Sequence, residues 1–179
     1  IIGVKIEGVE HEFATMKGIS EDVVEIFLNL KQVRFKKTVD HEVTNEKIML
    51  SIKNRTEFTA GMIGEGTQTF QVMNPDLLIC TLDSSARMDI ELTIGKGRGY
   101  VPAEDNKPKD APLGYIPIDA IFTPIKNVKY AIENTRVEQR TDFEKLIMEV
   151  STDGTIHPEE AVKQASRILI QHLKIITDE

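Results

Sequence analysis

Short runs in which apolar and polar residues alternate constrain this chain more than any other feature. The clearest run, at 88–94, places an apolar residue at every second position. This is the period at which the side chains of a β-strand reach one face of a sheet. The runs at 48–52 and 33–37 repeat the pattern. Because alternation buries only one face of each strand, the sequence predicts a β-rich fold with half-buried sheets.

Residues 21–31 have the spacing of an amphipathic helix. Their apolar residues recur at three- and four-residue intervals and share one face: Val23, Ile26, Phe27 and Leu30. Ser20 precedes this segment and is of the residue type that accepts hydrogen bonds from the free N–H groups at a helix start. We therefore predict one helix among the first strands, with Ser20 as its N-cap. The three glycines within 61–66 predict a loop.

A longer helix is predicted at the end of the chain. Pro158 fits the first helical position, and the acidic residues at 159–160 complement the positive end of the helix dipole. His157 takes the cap position, where Ser, Thr or Asp would be stronger. Small or apolar residues then form a stripe over about five turns. The stripe comprises Ala161, Ala165, Ile168, Leu169, His172, Leu173 and Ile176.

A change of composition near 122–124 predicts two subdomains in an α+β fold. Residues 1–123 are rich in strand patterns and contain a proline-rich, charged stretch at 101–114, which is typical of a surface loop. From residue 124 the pattern is strand, strand, an Asp153-Gly154 turn and the long helix. A stripe of about five turns is long for a helix that merely covers a small two-stranded sheet.

The charge and the residue types disfavour several functions. The chain has 22 Lys plus Arg against 29 Asp plus Glu, a net charge of −7, and no basic run, so it is a poor candidate for binding phosphate backbones. No apolar run approaches the ~20 residues of a membrane span. Four scattered histidines have no zinc-like spacing, and the single Cys80 lies in an apolar run that predicts a buried, inert thiol. We expect no DNA contact, no membrane, no metal and no other cofactor.

Two local motifs have weak chemical readings. The glycine-rich run 95–99 resembles a phosphate-cradling loop, but it lacks the Gly-Lys-Ser/Thr ending and follows a strand without opening a helix. A strand end with turn or bulge geometry is the better interpretation. The serines at 84–85 have no evident His and Asp set beside them. We therefore predict no catalytic residues in this chain.

Six motifs in order resemble one family. They lie at 4–13, 21–31, 97–103, 119–125, 130–146 and 154–161. The most distinctive are Gly-Arg-Gly-Tyr-Val-Pro-Ala at 97–103 and Val-Glu-Gln-Arg-Thr-Asp-Phe at 137–143. At this spacing they resemble, over nearly the whole chain, the amino-terminal domain of the α subunit of bacterial DNA-directed RNA polymerase.

The resemblance implies a non-catalytic scaffold within a cytoplasmic nucleotidyltransferase. Such α subunits form homodimers and recruit the β and then the β′ subunit, which carry the metal and nucleotide chemistry. Residues 1–123 would be a β-rich insert subdomain. Residues 124–179 would be an incomplete two-layer α/β dimerisation subdomain, and the stripe on its long helix would be the dimer interface.

The same resemblance assigns Lys31, Ile118 and Lys145 to docking of the β′ subunit, and we expect all three to be exposed. Lys31 has an alternative role as a favourable charge at the negative end of its helix. The charged run Arg136, Glu138, Arg140 and Asp142 is either a docking surface or a solvated strand face. The loop at 104–110 mixes charges of both signs, so contact with an activator protein is not carried over.

We expect the chain to be a piece of a longer protein. It opens at Ile1 inside a strand-like alternation, whereas α subunits begin with about fifty further residues and end with a linker and a small DNA-binding domain. The competing hypothesis is a free-standing α+β domain that binds a ligand or acts as an enzyme. A gene that encodes an upstream apolar helix and a downstream helical domain would favour the scaffold.

Overall fold

The computed structural model describes residues 1–39, 43–137 and 140–177. In these residues strands predominate over helices, which confirms the predicted α+β class. The chain divides into two compact units, Ile1–Thr123 and Pro124–Glu179.

The described part of the first unit contains ten strands. They are β1 (Gly3–Ile6), β2 (Phe35–Lys37), β3 (Asn45–Lys53), β4 (Glu57–Thr59), β5 (Phe70–Val72), β6 (Leu78–Thr81), β7 (Arg87–Gly95), β8 (Tyr100–Val101), β9 (Ile116–Pro117) and β10 (Ala120–Ile121). The main sheet has the order β3–β7–β1–β9, and every neighbouring pair is antiparallel. Three antiparallel pairs, β2–β5, β4–β6 and β8–β10, complete the unit.

Alternation in β7 builds the core of this unit. Its apolar residues at 88, 90, 92 and 94 are all buried. In the register with β3, Ile48 lies opposite Leu92 and Ile52 opposite Met88. The predicted half-buried strands at 88–94 and 48–52 are therefore confirmed. The run at 33–37 forms only the short β2, because Val33 lies buried before the strand begins.

The first helix, α1 (Val23–Lys31), buries the predicted face against the core. Its N-cap is Asp22 and not Ser20, so that part of the prediction was wrong. The Asp22 Oδ1 atom accepts a hydrogen bond of 2.7 Å from the Glu25 N–H group. Ser20 instead donates its backbone N–H to the Thr81 carbonyl at 3.0 Å. That bond ties Ser20 to the end of β6, and the helix starts two residues beyond the predicted point.

The glycines at 61–66 do not form the predicted loop. Ala60–Glu65 are a short helix, α2, whose Ala60 and Ile63 side chains are buried. A Cβ atom at Gly61 would lie 3.3 Å from Pro75, and one at Gly64 would lie 3.3 Å from Val72. The glycines therefore mark a close approach of the helix to its neighbours. Within the predicted loop at 101–114, Ala103–Asn106 form a 3₁₀ helix with no buried residue.

The second unit has the predicted order of elements. Strands β11 (Ile125–Val137) and β12 (Arg140–Thr152) form an antiparallel pair, and α3 (Pro158–Thr177) follows. Asp153 stabilises the turn between β12 and α3. Its Oδ1 atom accepts hydrogen bonds from the Thr155 N–H group at 3.0 Å and from the Thr155 hydroxyl at 2.6 Å. Gly154 has a φ of +91°, which the predicted Asp-Gly turn requires.

Removal of the α1 cap should destabilise the first unit. We expect Asp22→Ala to lower the free energy of unfolding by about 1 kcal/mol, because the Glu25 N–H group loses its acceptor. Ser20→Ala is the matched control, since its structural hydrogen bond is made by the backbone and survives the substitution. Urea denaturation of both variants measures the difference. A larger loss in Ser20→Ala would contradict the assignment of Asp22 as the cap.

Cys80 should not react in the folded protein. Its side chain is buried, and burial, followed by the charge of Glu21, raises the pKa of the thiol to about 12. The thiolate, which is the reactive form, is therefore scarce at pH 8. Labelling with a thiol-specific disulfide reagent should be slow in buffer and stoichiometric in urea. Rapid labelling in buffer would contradict the burial of this thiol.

Candidate interaction surfaces

The residues considered for chemical roles do not converge. No group of three or more His, Cys, Asp or Glu side chains that could hold a metal ion lies among residues 1–39, 43–137 and 140–177. His41 lies outside the described residues. In the glycine-rich run 95–99, Gly99 has a φ of +61°, and a Cβ atom at Gly97 would lie 2.5 Å from the Phe122 ring. This geometry fits the predicted turn at a strand end.

None of the helices in the described ranges combines the length and the apolar character that a membrane crossing requires.

Lys31, a predicted docking residue at the end of α1, contacts the residue that follows a second one, Ile118. The Lys31 Nζ atom forms an ion pair with the Asp119 carboxylate, and Asp119 directly follows Ile118. The two side chains are 27% and 29% exposed. The Lys31 carbonyl also accepts a hydrogen bond of 3.1 Å from Arg34 Nη1. Folding thus joins residues that lie 88 positions apart in the sequence, and it does so at a solvent-accessible edge of the unit.

Ile118 is buried, so the expectation that it is exposed was wrong. Its side chain is 3% exposed and belongs to the core cluster of the first unit. Its backbone is fixed on both sides: its N–H donates to the Ile2 carbonyl at 3.1 Å, and its carbonyl accepts from Asn106 Nδ2 at 2.8 Å. An apolar residue that follows β9 packs inward here because these bonds fix its direction. Ile118 therefore has no surface with which to touch a partner directly.

Lys145 lies in the second unit, on β12. It is exposed, and it stands opposite Glu133 in the register of β11 and β12. Opposite charges at directly facing positions stabilise an antiparallel pair. Lys145 is therefore accessible, as expected, and it faces a residue of opposite charge on the neighbouring strand.

The charged run after β11 is solvated where the structure describes it. Arg140 forms a two-pronged contact with Asp142, at 3.1 and 2.7 Å. Hydrogen bonding from Arg140 lowers the pKa of the Asp142 carboxyl below its usual value. The Arg140 guanidinium also lies 5.1 Å from the centre of the Phe143 ring. Glu138 lies outside the described residues. Arg140 and Asp142 pair with each other on an exposed strand, an arrangement compatible with both interpretations of the run.

The predicted stripe on α3 is uncovered in this chain. The described part of the helix has no buried residue, and six of the seven stripe positions are exposed, with Ala161 half-buried. Leu169 and Leu173 are 64% and 60% exposed. Four charged residues of α3 pair with each other away from the stripe, Lys163 with Glu159 at 2.6 Å and Arg167 with Glu160 at 3.3 Å. An apolar stripe of this length in contact with water is typical of an interaction surface.

A second apolar surface lies on the strand pair, and the sequence reasoning did not single it out. In the register of β11 and β12, Val128 faces Val150, Tyr130 faces Met148, and Ile132 faces Leu146. Most of these side chains are exposed. The alternating pattern of both strands carried the signal. It predicted one buried face for the sheet, whereas most of the apolar side chains on that face are exposed in the structure.

The family described as the RNA polymerase Rpb3/RpoA insert domain matches residues 4–123, about two thirds of the chain. The whole chain also aligns with curated proteins named DNA-directed RNA polymerase subunit alpha. It is 61% identical to the protein from Cytophaga hutchinsonii and 56% identical to that from Bacteroides fragilis, over 179 residues in each case. The protein from Flavobacterium psychrophilum is 52% identical over the same length.

In each of these alignments all of this chain is covered, together with 54% of the relative. The chain therefore spans about half the length of the curated relatives it matches. The match to the family over most of the β-rich unit agrees with the motifs at 4–13, 21–31 and 97–103. The chain belongs to the RNA polymerase Rpb3/RpoA insert domain family.

Proposed function

We propose that this chain is part of the α subunit of a bacterial DNA-directed RNA polymerase and acts as a non-catalytic scaffold in the cytoplasm. The observation that carries the proposal is its similarity, along its full length, to proteins named as that subunit. Two uncovered apolar surfaces on the second unit support a role in assembly. The chemistry of transcription would then reside in other subunits, and this chain would need no cofactor and contact no DNA.

The second unit is the proposed site of homodimerisation. Its two-stranded sheet and single helix leave most of their large apolar side chains in water. An isolated two-stranded sheet is marginally stable without a layer against its apolar face. A second copy would supply part of that layer through the α3 stripe of Ala161, Ala165, Ile168, Leu169, His172, Leu173 and Ile176.

Assembly with the β and β′ subunits is the second half of the proposal. Lys31 and Lys145 are the accessible residues of the proposed β′ contact, each on its own unit. Ile118 contributes through packing, because its side chain is buried. The competing idea of a free-standing enzymatic or ligand-binding domain has less support, since the whole chain aligns with proteins named as a polymerase subunit.

Truncation of the α3 stripe should weaken the dimer. In the full-length subunit, Leu169→Ala combined with Leu173→Ala should shift dimer toward monomer at micromolar concentration, because removal of a well-buried leucine side chain costs ~2–5 kcal/mol. Analytical sedimentation measures the shift. Leu113→Ala is the control: Leu113 is 92% exposed and lies on the other unit. A double variant that stays dimeric at nanomolar concentration would place the dimer contact elsewhere.

Charge reversal at the two docking lysines should weaken assembly with β′ more than it lowers the stability of the fold. We expect Lys31→Glu and Lys145→Glu to weaken binding of β′ to the complex of α and β. Their melting temperatures should fall only modestly, because Lys31→Glu faces Asp119 and Lys145→Glu faces Glu133 at solvent-accessible positions, where charge pairs contribute about 1 kcal/mol or less. Ile118→Asp, by contrast, should lower the melting temperature strongly, because it places a charge in the core. Unchanged assembly of both lysine variants in a reconstituted system would remove them from the site.

A further inference from the structure

We propose that Asp119 is a positioning residue. Its carboxylate orients the Lys31 ammonium group so that this group can donate a hydrogen bond to an acceptor on the β′ subunit. This inference rests on the proposed function and adds a residue that the resemblance did not assign. The acceptor would be a carboxylate or a carbonyl, because an ammonium group has three N–H donors and no acceptor. Asp119 leaves at least one of those donors for a partner.

The geometry at the end of α1 supports this role. Lys31 has a flexible four-carbon stem, and an unrestrained lysine loses considerable side-chain entropy when it binds. Here the Asp119 carboxylate pairs with the Nζ atom, and Arg34 Nη1 holds the Lys31 carbonyl at 3.1 Å. Both ends of Lys31 are therefore fixed before any partner arrives. A preorganised side chain binds more tightly because less freedom remains to be lost.

Asp119 is itself held by the segment that precedes it. Pro117 pairs with Gly3 of β1, and the Ile118 N–H donates to the Ile2 carbonyl at 3.1 Å. Asn106, at the end of the 3₁₀ helix, donates its Nδ2–H to the Ile118 carbonyl at 2.8 Å. The buried Ile118 side chain anchors the same segment in the core. These contacts give Ile118 an indirect role. The buried Ile118 positions Asp119, and the Asp119 carboxylate orients the Lys31 side chain.

A purely stabilising role accounts poorly for this pair. Both side chains retain more than a quarter of their exposure, and ion pairs this accessible contribute little to folding. The unit contains a second ion pair for comparison, Lys47 with Glu91 at 2.9 Å. Glu91 lies between the buried Ile90 and Leu92 of β7, so it points to the sheet face opposite α1. The Lys47–Glu91 pair is thus a matched control on the same unit, away from Lys31.

A double-mutant cycle in the full-length subunit tests the inference. The measured quantity is the dissociation constant of β′ from the preformed complex of α and β, together with each variant's melting temperature. Asp119→Asn should weaken binding about three- to tenfold, the range expected when one long side chain loses its preorganisation. Lys31→Ala should weaken it further. In the Lys31→Ala background, Asp119→Asn should not change the dissociation constant any further, because Asp119 acts through Lys31.

The other variants fix the interpretation. Asp119→Glu keeps the carboxylate and should recover part of the affinity, whereas Glu91→Gln should bind like the parent. If Lys31→Ala weakens binding and Asp119→Asn does not, the positioning role is wrong and the docking role of Lys31 stands. Equal losses from Asp119→Asn with and without Lys31 would mean that Asp119 touches the partner itself, and they would overturn the inference. If Lys31→Ala binds β′ as tightly as the parent, both the docking role of Lys31 and the positioning role of Asp119 are wrong.

Discussion

The pairing of β7 with β3 on one side and β1 on the other is the interaction on which the first unit depends. Nine consecutive register positions join β7 to β3, and four join it to β1. The alternate side chains of β7 are buried together with the apolar face of α1. Each fully buried aliphatic side chain stabilises the fold by ~1.5–3 kcal/mol relative to exposure. The sheet also delivers β9, beside β1, to the place from which Asp119 reaches Lys31.

The two units differ in how they satisfy the same rule of burial. In the first unit the apolar side chains of the main sheet and of α1 are buried in one core cluster. In the second unit the strand pair and α3 leave their apolar faces in water. In α3, Lys163 pairs with Glu159 and Arg167 pairs with Glu160, while the apolar stripe is exposed to solvent. A unit of this kind gains stability from association, which is the physical basis of the proposed dimer.

The proposed β′ contact shows why exposure has to be read from a structure. Lys31 and Ile118 were assigned to one surface by resemblance, and folding does bring their segments together. One of them reaches solvent, while the other lies in the core. The residue that pairs with Lys31 is Asp119, which follows Ile118 and to which the resemblance assigned no docking role. A short segment can thus contribute to an interface through both a buried anchor and an exposed charge.

Local patterns determined the elements of this protein. Alternation at 88–94 and 48–52 predicted β7 and β3, because the side-chain period of a strand is fixed by its backbone. Helical spacing likewise predicted α1 and α3, and the Asp-Gly pair predicted the turn before α3. The motif order also indicated the family, which the match over residues 4–123 shows. The strand, helix and turn patterns are local, so a few consecutive residues are enough to predict them.

Only the tertiary structure decided the remaining features, because they depend on residues distant in sequence. Asp22 and not Ser20 caps α1, since Ser20 is bound to Thr81 of β6. Gly61 and Gly64 lie in a helix, where Pro75 and Val72 approach them closely. Ile118 points inward, since Ile2 and Asn106 hold its backbone. In each case a contact made across the fold overrides the local preference, and no pattern within a short window of sequence records that contact.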